Sequence, residues 1–181
     1  VLTRFDTAFA QWVEGRRDFG LIRPSTAEIY LQNAKPMLKL IGHTPVETLD
    51  RAKVDALYKR LVKEIGPNRT RALAVLLRHF CKDAMQAEQL QRNPTEGVVV
   101  PRGLKQVKKK TLTFEQLQSV IEASKTWGVQ GLMVRFAIAT GCRRGEICAL
   151  KPQDFNFTTN TVKIERTVSM IRNYPTVEAP K

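Results

Sequence analysis

The chain lacks any apolar run near the roughly 18–20 residues that a membrane span requires. Its opening residues, Val1-Leu2-Thr3-Arg4-Phe5-Asp6, do not form a secretory signal. A cytoplasmic protein with no membrane partner is therefore expected. Cysteine is scarce: Cys81, Cys142 and Cys148 are odd in number and match neither a disulfide framework nor a zinc spacing. Reduced thiols that pack as small hydrophobes are expected instead, with no metal site. An initiator methionine is also missing, which suggests a fragment or a processed product. Acidic residues are few as well, 17 against 30 basic ones, which leaves a formal charge of +13.

That charge is spread over the chain. Residues 1–100 hold 16 basic and 11 acidic groups, so +5, and residues 101–181 hold 14 and 6, so +8. A basic globular chain without membrane features points to a polyanion as partner, nucleic acid above all. An acidic protein partner is the alternative on composition alone.

The first hundred residues read as successive helices. Phe5, Phe9, Trp12 and Val13 share one helical face. Ser25 and Glu28 have the spacing of a capping box, which predicts a helix from about Thr26 to Ile41, stopped at Gly42 and kinked at Pro36. Val54, Leu57, Tyr58, Leu61, Val62 and Ile65 follow the 3.6-residue period, with Asp50 as cap and Gly66-Pro67 as stop. Asn68 is placed to cap a fourth helix that presents Leu73, Leu76, Leu77, Phe80 and Ala84. Four amphipathic helices in this length make a compact bundle.

From Val98 to Lys110 the composition changes. This stretch holds Pro101, Gly103 and the run Lys108-Lys109-Lys110, and no acidic residue. It reads as an interdomain linker, giving a helical domain 1–98, a basic linker 99–112 and a second domain 113–181. The second domain opens on a capping box, Thr113 with Gln116, flanked by Leu112 and Leu117 at the staple positions. Leu132–Ala139 predicts a buried helix closed by Gly141. After Lys151-Pro152 the pattern turns to strands: Val162, Ile164, Arg166 and Val168 alternate with Lys163, Glu165 and Thr167, after a turn at Thr158-Thr159-Asn160.

The stretch with the most chemistry is Thr140-Gly141-Cys142-Arg143-Arg144-Gly145-Glu146-Ile147-Cys148-Ala149-Leu150, followed by Asp154. A helix ends at a glycine and an arginine pair opens the next, so guanidinium groups stand at a positive helix end, where a phosphate is favoured. Arginine's planar fork holds two phosphate oxygens at once and stays charged. Glu146 follows Arg143 by three residues and can hold it in place. The bland alternative is a pair of solvated arginines beside an ordinary surface carboxylate.

This string resembles the arginine box of the tyrosine recombinases, the phage-integrase family. The resemblance extends over nearly the whole chain. Thr26, Tyr30, the Ile41-Gly42 break and the closing Asn93-Pro94 resemble the family's core-binding domain, and Thr111–Leu117 resembles the entry to its catalytic domain. The resemblance implies a mainly α protein: a four-helix, SAM-like core-binding domain, then a truncated α+β catalytic domain with a small antiparallel sheet. It makes Arg143 the first catalytic arginine, places Arg144 off the catalytic position, and makes Glu146 and Asp154 supporting residues. Lys181 falls where the family's catalytic lysine is expected, with Lys163 as the other candidate. DNA contacts are expected from Lys105, Lys108, Lys109 and Lys110, and from Arg69, Arg71 and Arg144.

The resemblance also implies the activity. A tyrosine attacks a backbone phosphate at a specific attachment site and stores the bond as a 3′-phosphotyrosine, with no cofactor or metal. The enzyme embraces duplex DNA, is a monomer when free, becomes a tetramer at synapsis, and is associated with the bacterial nucleoid. The family's later residues have no counterpart here. His43 and His79 lie in the helical domain, and neither has an arginine three residues on. Tyr30 and Tyr58 lie there too, and Tyr174 comes too early to be the nucleophile. A truncated chain that binds DNA without cutting it is therefore expected. The alternative is a protein that only occupies attachment sites, as a remnant or regulator.

Overall fold

The computed structural model describes residues 2–100, 102–103, 111–171 and 174–180. The chain divides into two compact units, Val1–Gln106 and Val107–Lys181. The fold is mostly helical, with short antiparallel strand pairs confined to the second unit.

The first unit contains α1 (Phe5–Asp18), α2 (Pro24–Ile41), α3 (Arg51–Ile65) and α4 (Pro67–Gln86). Most of the periodic apolar positions are buried: Phe5, Phe9 and Val13 on α1, Val54, Leu57, Tyr58 and Leu61 on α3, and Leu73, Leu76, Leu77, Phe80 and Ala84 on α4, while Trp12, Val62 and Ile65 are half-buried. Phe80 is the meeting point. Its ring stands edge-on to Phe5 at 5.1 Å and to Trp12 at 5.8 Å between centroids, the arrangement that aromatic quadrupoles favour. Leu90 and Val98, beyond α4, complete the same core.

Asp50 caps α3 by accepting the Lys53 N–H at 2.8 Å. Two other helix starts differ from expectation for one reason. α2 begins at Pro24 behind Arg23, one residue before Ser25, and Glu28 accepts from the Gln32 amide at 2.8 Å. α4 begins at Pro67, so Asn68 lies inside its first turn, and Gly66 precedes it with φ of 79°. In both cases a proline takes the first helical position, where its fixed φ is already helical and no N–H is wasted. Pro36 sits within α2, which runs on through it to Ile41.

The second unit holds α5 (Phe114–Ser124), α6 (Gly128–Thr140) and α7 (Arg144–Cys148), then β1 (Phe155–Asn156), β2 (Thr161–Val162), β3 (Thr167–Ile171) and β4 (Tyr174–Glu178). The Thr113–Gln116 capping box is formed in both directions, at 3.3 and 2.9 Å. Leu112 is exposed, so it does not act as a buried staple. α6 packs closely on the end of α5. A Cβ on Gly131 would collide with the Ser124 carbonyl oxygen, and Arg135 donates to that same oxygen at 2.8 Å.

Three expectations for this unit are corrected. α6 is apolar but not buried: only its Gly131 is, while Leu132 is 59% exposed, because the described elements cover one side of the helix. The alternating stretch 162–168 is not one strand. Residues 163–166 lie outside the strands: the β1–β2 pairing ends with the Lys163 N–H bonded to the Asp154 carbonyl at 2.9 Å. Among the described residues there are consequently two separate antiparallel pairs, β1 with β2 around the 157–160 turn and β3 with β4, with Thr167 opposite Glu178 and Ile171 opposite Tyr174. Of the thiols, Cys81 is buried and burial pushes its pKa up to about 12, whereas Cys148 is exposed and packs in no core.

Candidate nucleic-acid interface

Each unit carries one candidate feature. In the second unit it begins where α6 ends. Gly141 adopts the left-handed conformation, φ 71°, that closes the helix. The Thr140 hydroxyl donates back to the Phe136 carbonyl at 2.7 Å and accepts the Cys142 N–H at 3.3 Å, which sets the turn. Arg143 follows in extended conformation at the head of α7. The Glu146 carboxylate then accepts twice from that residue: the Arg143 N–H at 2.8 Å and its guanidinium Nη1 at 3.1 Å. The Glu146 side chain is 10% exposed and that of Arg143 74%. A nearly buried anion therefore orients a cation whose remaining donors face outward, which suits an arriving anion.

α7 is itself fixed from below. A Cβ on Gly145 would stand 2.6 Å from the Thr167 hydroxyl and 2.7 Å from the Val168 carbonyl oxygen, so the helix rests directly on the β3 backbone. Asp154 is buried, accepts the Lys151 N–H at 2.8 Å, and is paired with the Arg166 guanidinium. It ties the turn after α7 to the residue that precedes β3. Lys163 is paired with Glu165 at 2.6 Å, which raises its pKa. Arg144 opens α7 and is exposed. Lys105, Lys108, Lys109, Lys110 and Lys181 lie outside the described residues.

The Glu146 carboxyl is held below the usual carboxylate range, first by the Arg143 N–H and then by its guanidinium. A lowered folded value means that this interaction stabilises fully above the unfolded carboxyl pKa of about 4.3, and disappears as pH falls through the folded value. In an NMR titration the Glu146 carboxyl is expected to titrate below that ordinary value. Arg143→Ala should return its midpoint only part of the way, since the backbone N–H remains. A midpoint at the ordinary value in the parent protein would remove the anchoring.

In the first unit the candidate feature is the outer face of α4. Arg71, Val75, Arg78 and Lys82 are exposed and recur at steps of four, three and four residues, so they line up along the helix. Arg69 is exposed on another side of its first turn. The one acidic residue of α4, Asp83, is taken by α1: it accepts from Trp12 Nε1 at 2.8 Å and pairs with Arg16 at 2.7 Å. The outer face is left cationic. Sequence reasoning misses Arg78 and Lys82, although their spacing from Arg71 is visible in the sequence. It also misses Arg166 as the partner of Asp154, for which twelve residues of separation give no signal.

Comparison with known proteins gives this geometry a setting. No protein-family profile matches the chain. A curated relative described as "Tyrosine recombinase XerC-like", from Caldanaerobacter subterraneus subsp. tengcongensis, is 24% identical in an alignment of 147 positions that covers 74% of this chain and 37% of the relative. The Tn1549 transposon integrase in complex with a circular intermediate DNA has the same fold, with a TM-score of 0.75 at 15% identity, over 100% of this chain and 59% of that one. A lambda integrase dimer bound to a COC′ core site gives a TM-score of 0.70 at 14% identity, over 98% of this chain and 62% of that one. The chain thus spans little more than a third of the curated relative and about three fifths of these solved chains. The chain is similar in sequence to a protein described as recombinase-like, and it shares the fold of these integrases.

Proposed function

We propose that this chain is the DNA-binding and arginine-bearing part of a tyrosine-type site-specific recombinase, with residues 1–98 as its core-binding domain and 113–181 as part of its catalytic domain. The observation that carries this reading is the Arg143–Glu146 arrangement, in which a buried carboxylate aims an exposed guanidinium. Arg143 meets the non-bridging oxygens of the phosphate under attack by a tyrosine, where negative charge grows in the transition state. Lys181 protonates the departing 5′-oxygen as general acid. Lys163 is the weaker candidate, because Glu165 occupies its ammonium group. Glu146 and Asp154 hold the arginine's surroundings in place, and no cofactor or metal enters the step.

The DNA partner is a duplex attachment site, with four protomers assembled at synapsis. A lambda integrase tetramer bound to a Holliday junction, with a TM-score of 0.71 to this chain, supports that assembly. No helix among the described residues is long and apolar enough to cross a membrane. Nucleoid association follows from the DNA partner. Lys105, Lys108, Lys109 and Lys110 contact phosphates, as do Arg69, Arg71 and Arg144.

Salt dependence of duplex binding tests this. Replacing Lys108, Lys109 and Lys110 by alanine, or Arg71, Arg78 and Lys82 by alanine, is expected to weaken binding to all duplexes. The slope of log affinity against log salt should fall by up to about 0.9 for each phosphate no longer neutralised. An unchanged slope in both triple variants would show that neither cluster neutralises DNA phosphates.

A further inference from the structure

The outer face of α4 carries more than phosphate binding requires. Within the line of Arg71, Arg78 and Lys82 stands Val75, an apolar side chain 48% exposed to solvent. The cations of this face gain from phosphates, but the valine does not. A β-branched residue is also a poorer surface helix former than the alanine, lysine or arginine that could stand there. If the chain binds DNA as proposed, the valine has a use where the face meets base edges. In the major groove the thymine 5-methyl group is the apolar feature, and guanine presents two acceptors that match an arginine fork. The groove, about 12 Å wide, admits a helix. From Arg71 to Lys82 the line runs about 16 Å at 1.5 Å per residue, enough to pass several base pairs.

We propose that Val75 is a specificity-determining residue that packs on the methyl group of a thymine in the attachment site, while Arg71 and Arg78 on either side of it contact neighbouring base edges or phosphates. This role rests on the DNA-binding function of the chain. α4 is then a reading element, and its cations hold the valine in register.

The test uses this chain and duplex DNA. Binding sites are first selected from a random-sequence duplex library, once with the parent chain and once with Val75→Ala. The parent is expected to enrich a thymine at a position where the variant shows no preference. In the selected site, uracil is then substituted for that thymine, which removes the methyl group and keeps the pairing. The parent should lose about 4-fold in affinity, the worth of one methyl group at about 0.8 kcal/mol. Val75→Ala should bind the thymine and uracil duplexes equally, with an unchanged salt slope. Val75 is exposed and alanine favours helix, so the variant keeps the fold, which its circular dichroism will verify. If uracil weakens both proteins equally, or neither, the inference fails while DNA binding stands. If the parent binds duplexes but enriches no sequence, the inference fails in the same way. If the parent binds no duplex even at low salt, the DNA-binding reading falls first and takes the inference with it.

Discussion

Replacing Arg143 with alanine is expected to lower formation of the covalent DNA adduct roughly 100- to 1,000-fold while duplex affinity changes little. The assay uses a polypeptide of the relatives' full length. The asymmetry between rate and affinity follows from where the charge is. A ground-state phosphodiester already carries one negative charge, and many lysines and arginines share the task of binding it. The additional charge of the five-coordinate phosphorus appears only in the transition state, so a cation aimed at it acts on rate. Arg143 is the arginine that Glu146 aims, through both backbone and side chain. Arg144→Ala should therefore cost far less. A suicide substrate that traps the phosphotyrosine, run beside a binding assay, measures both quantities. If Arg143→Ala forms adduct at the parent rate, Arg143 is structural. If the extended protein never forms adduct on its selected site, a DNA-binding protein that occupies sites without cutting them becomes the better account.

Phe80→Ala is expected to destabilise the first unit by about 3–5 kcal/mol, the usual cost of emptying an aromatic site in a packed core. Phe80 is 1% exposed and packs on the rings of Phe5, Phe9 and Trp12, so truncation opens one cavity bordered by several partners. Against a total stability of about 5–15 kcal/mol, that loss leaves the bundle marginal. Urea denaturation followed by helical circular dichroism measures it, and the midpoint should fall with the slope unchanged. A loss below about 1 kcal/mol would mean that the ring cluster does not hold α1 to α4. Val75→Ala, five residues earlier on the exposed face, should leave the midpoint where it is.

Much of the helical unit is legible in the sequence because its apolar residues repeat at a period that only one face of a helix satisfies. Phe5, Phe9 and Val13, and Leu73, Leu77, Phe80 and Ala84, are buried on that pattern alone. The helix starts at Pro24 and Pro67 escape the apolar pattern because a proline, whose fixed φ is already helical, takes the first helical position in each. α6 shows the limit of composition: Leu132–Ala139 is as apolar as a core helix, yet burial depends on what lies opposite. The Arg143–Glu146 pair is legible, being local and three residues apart. Asp154 with Arg166 is not, since that pair forms only when the chain folds back after β2. The end of the β2 pairing just after Lys163 is no more legible, because the Arg166 side chain turns to the Asp154 carboxylate rather than following the alternation.

Gly66 has a consequence for how the outer face of α4 can evolve. It ends α3 and starts α4 in one residue, at φ 79°, with no loop between the helices. Each residue added at that joint would turn α4 by about 100° about its axis. The buried row of α4 and its cationic row are locked on opposite sides of the same rod, so such a turn would send one into solvent or the other into the core. The joint therefore sets the phase of α4. Changes to the outer face of this helix are confined to exchanging side chains at fixed positions, and shifts of length must be absorbed elsewhere in the chain.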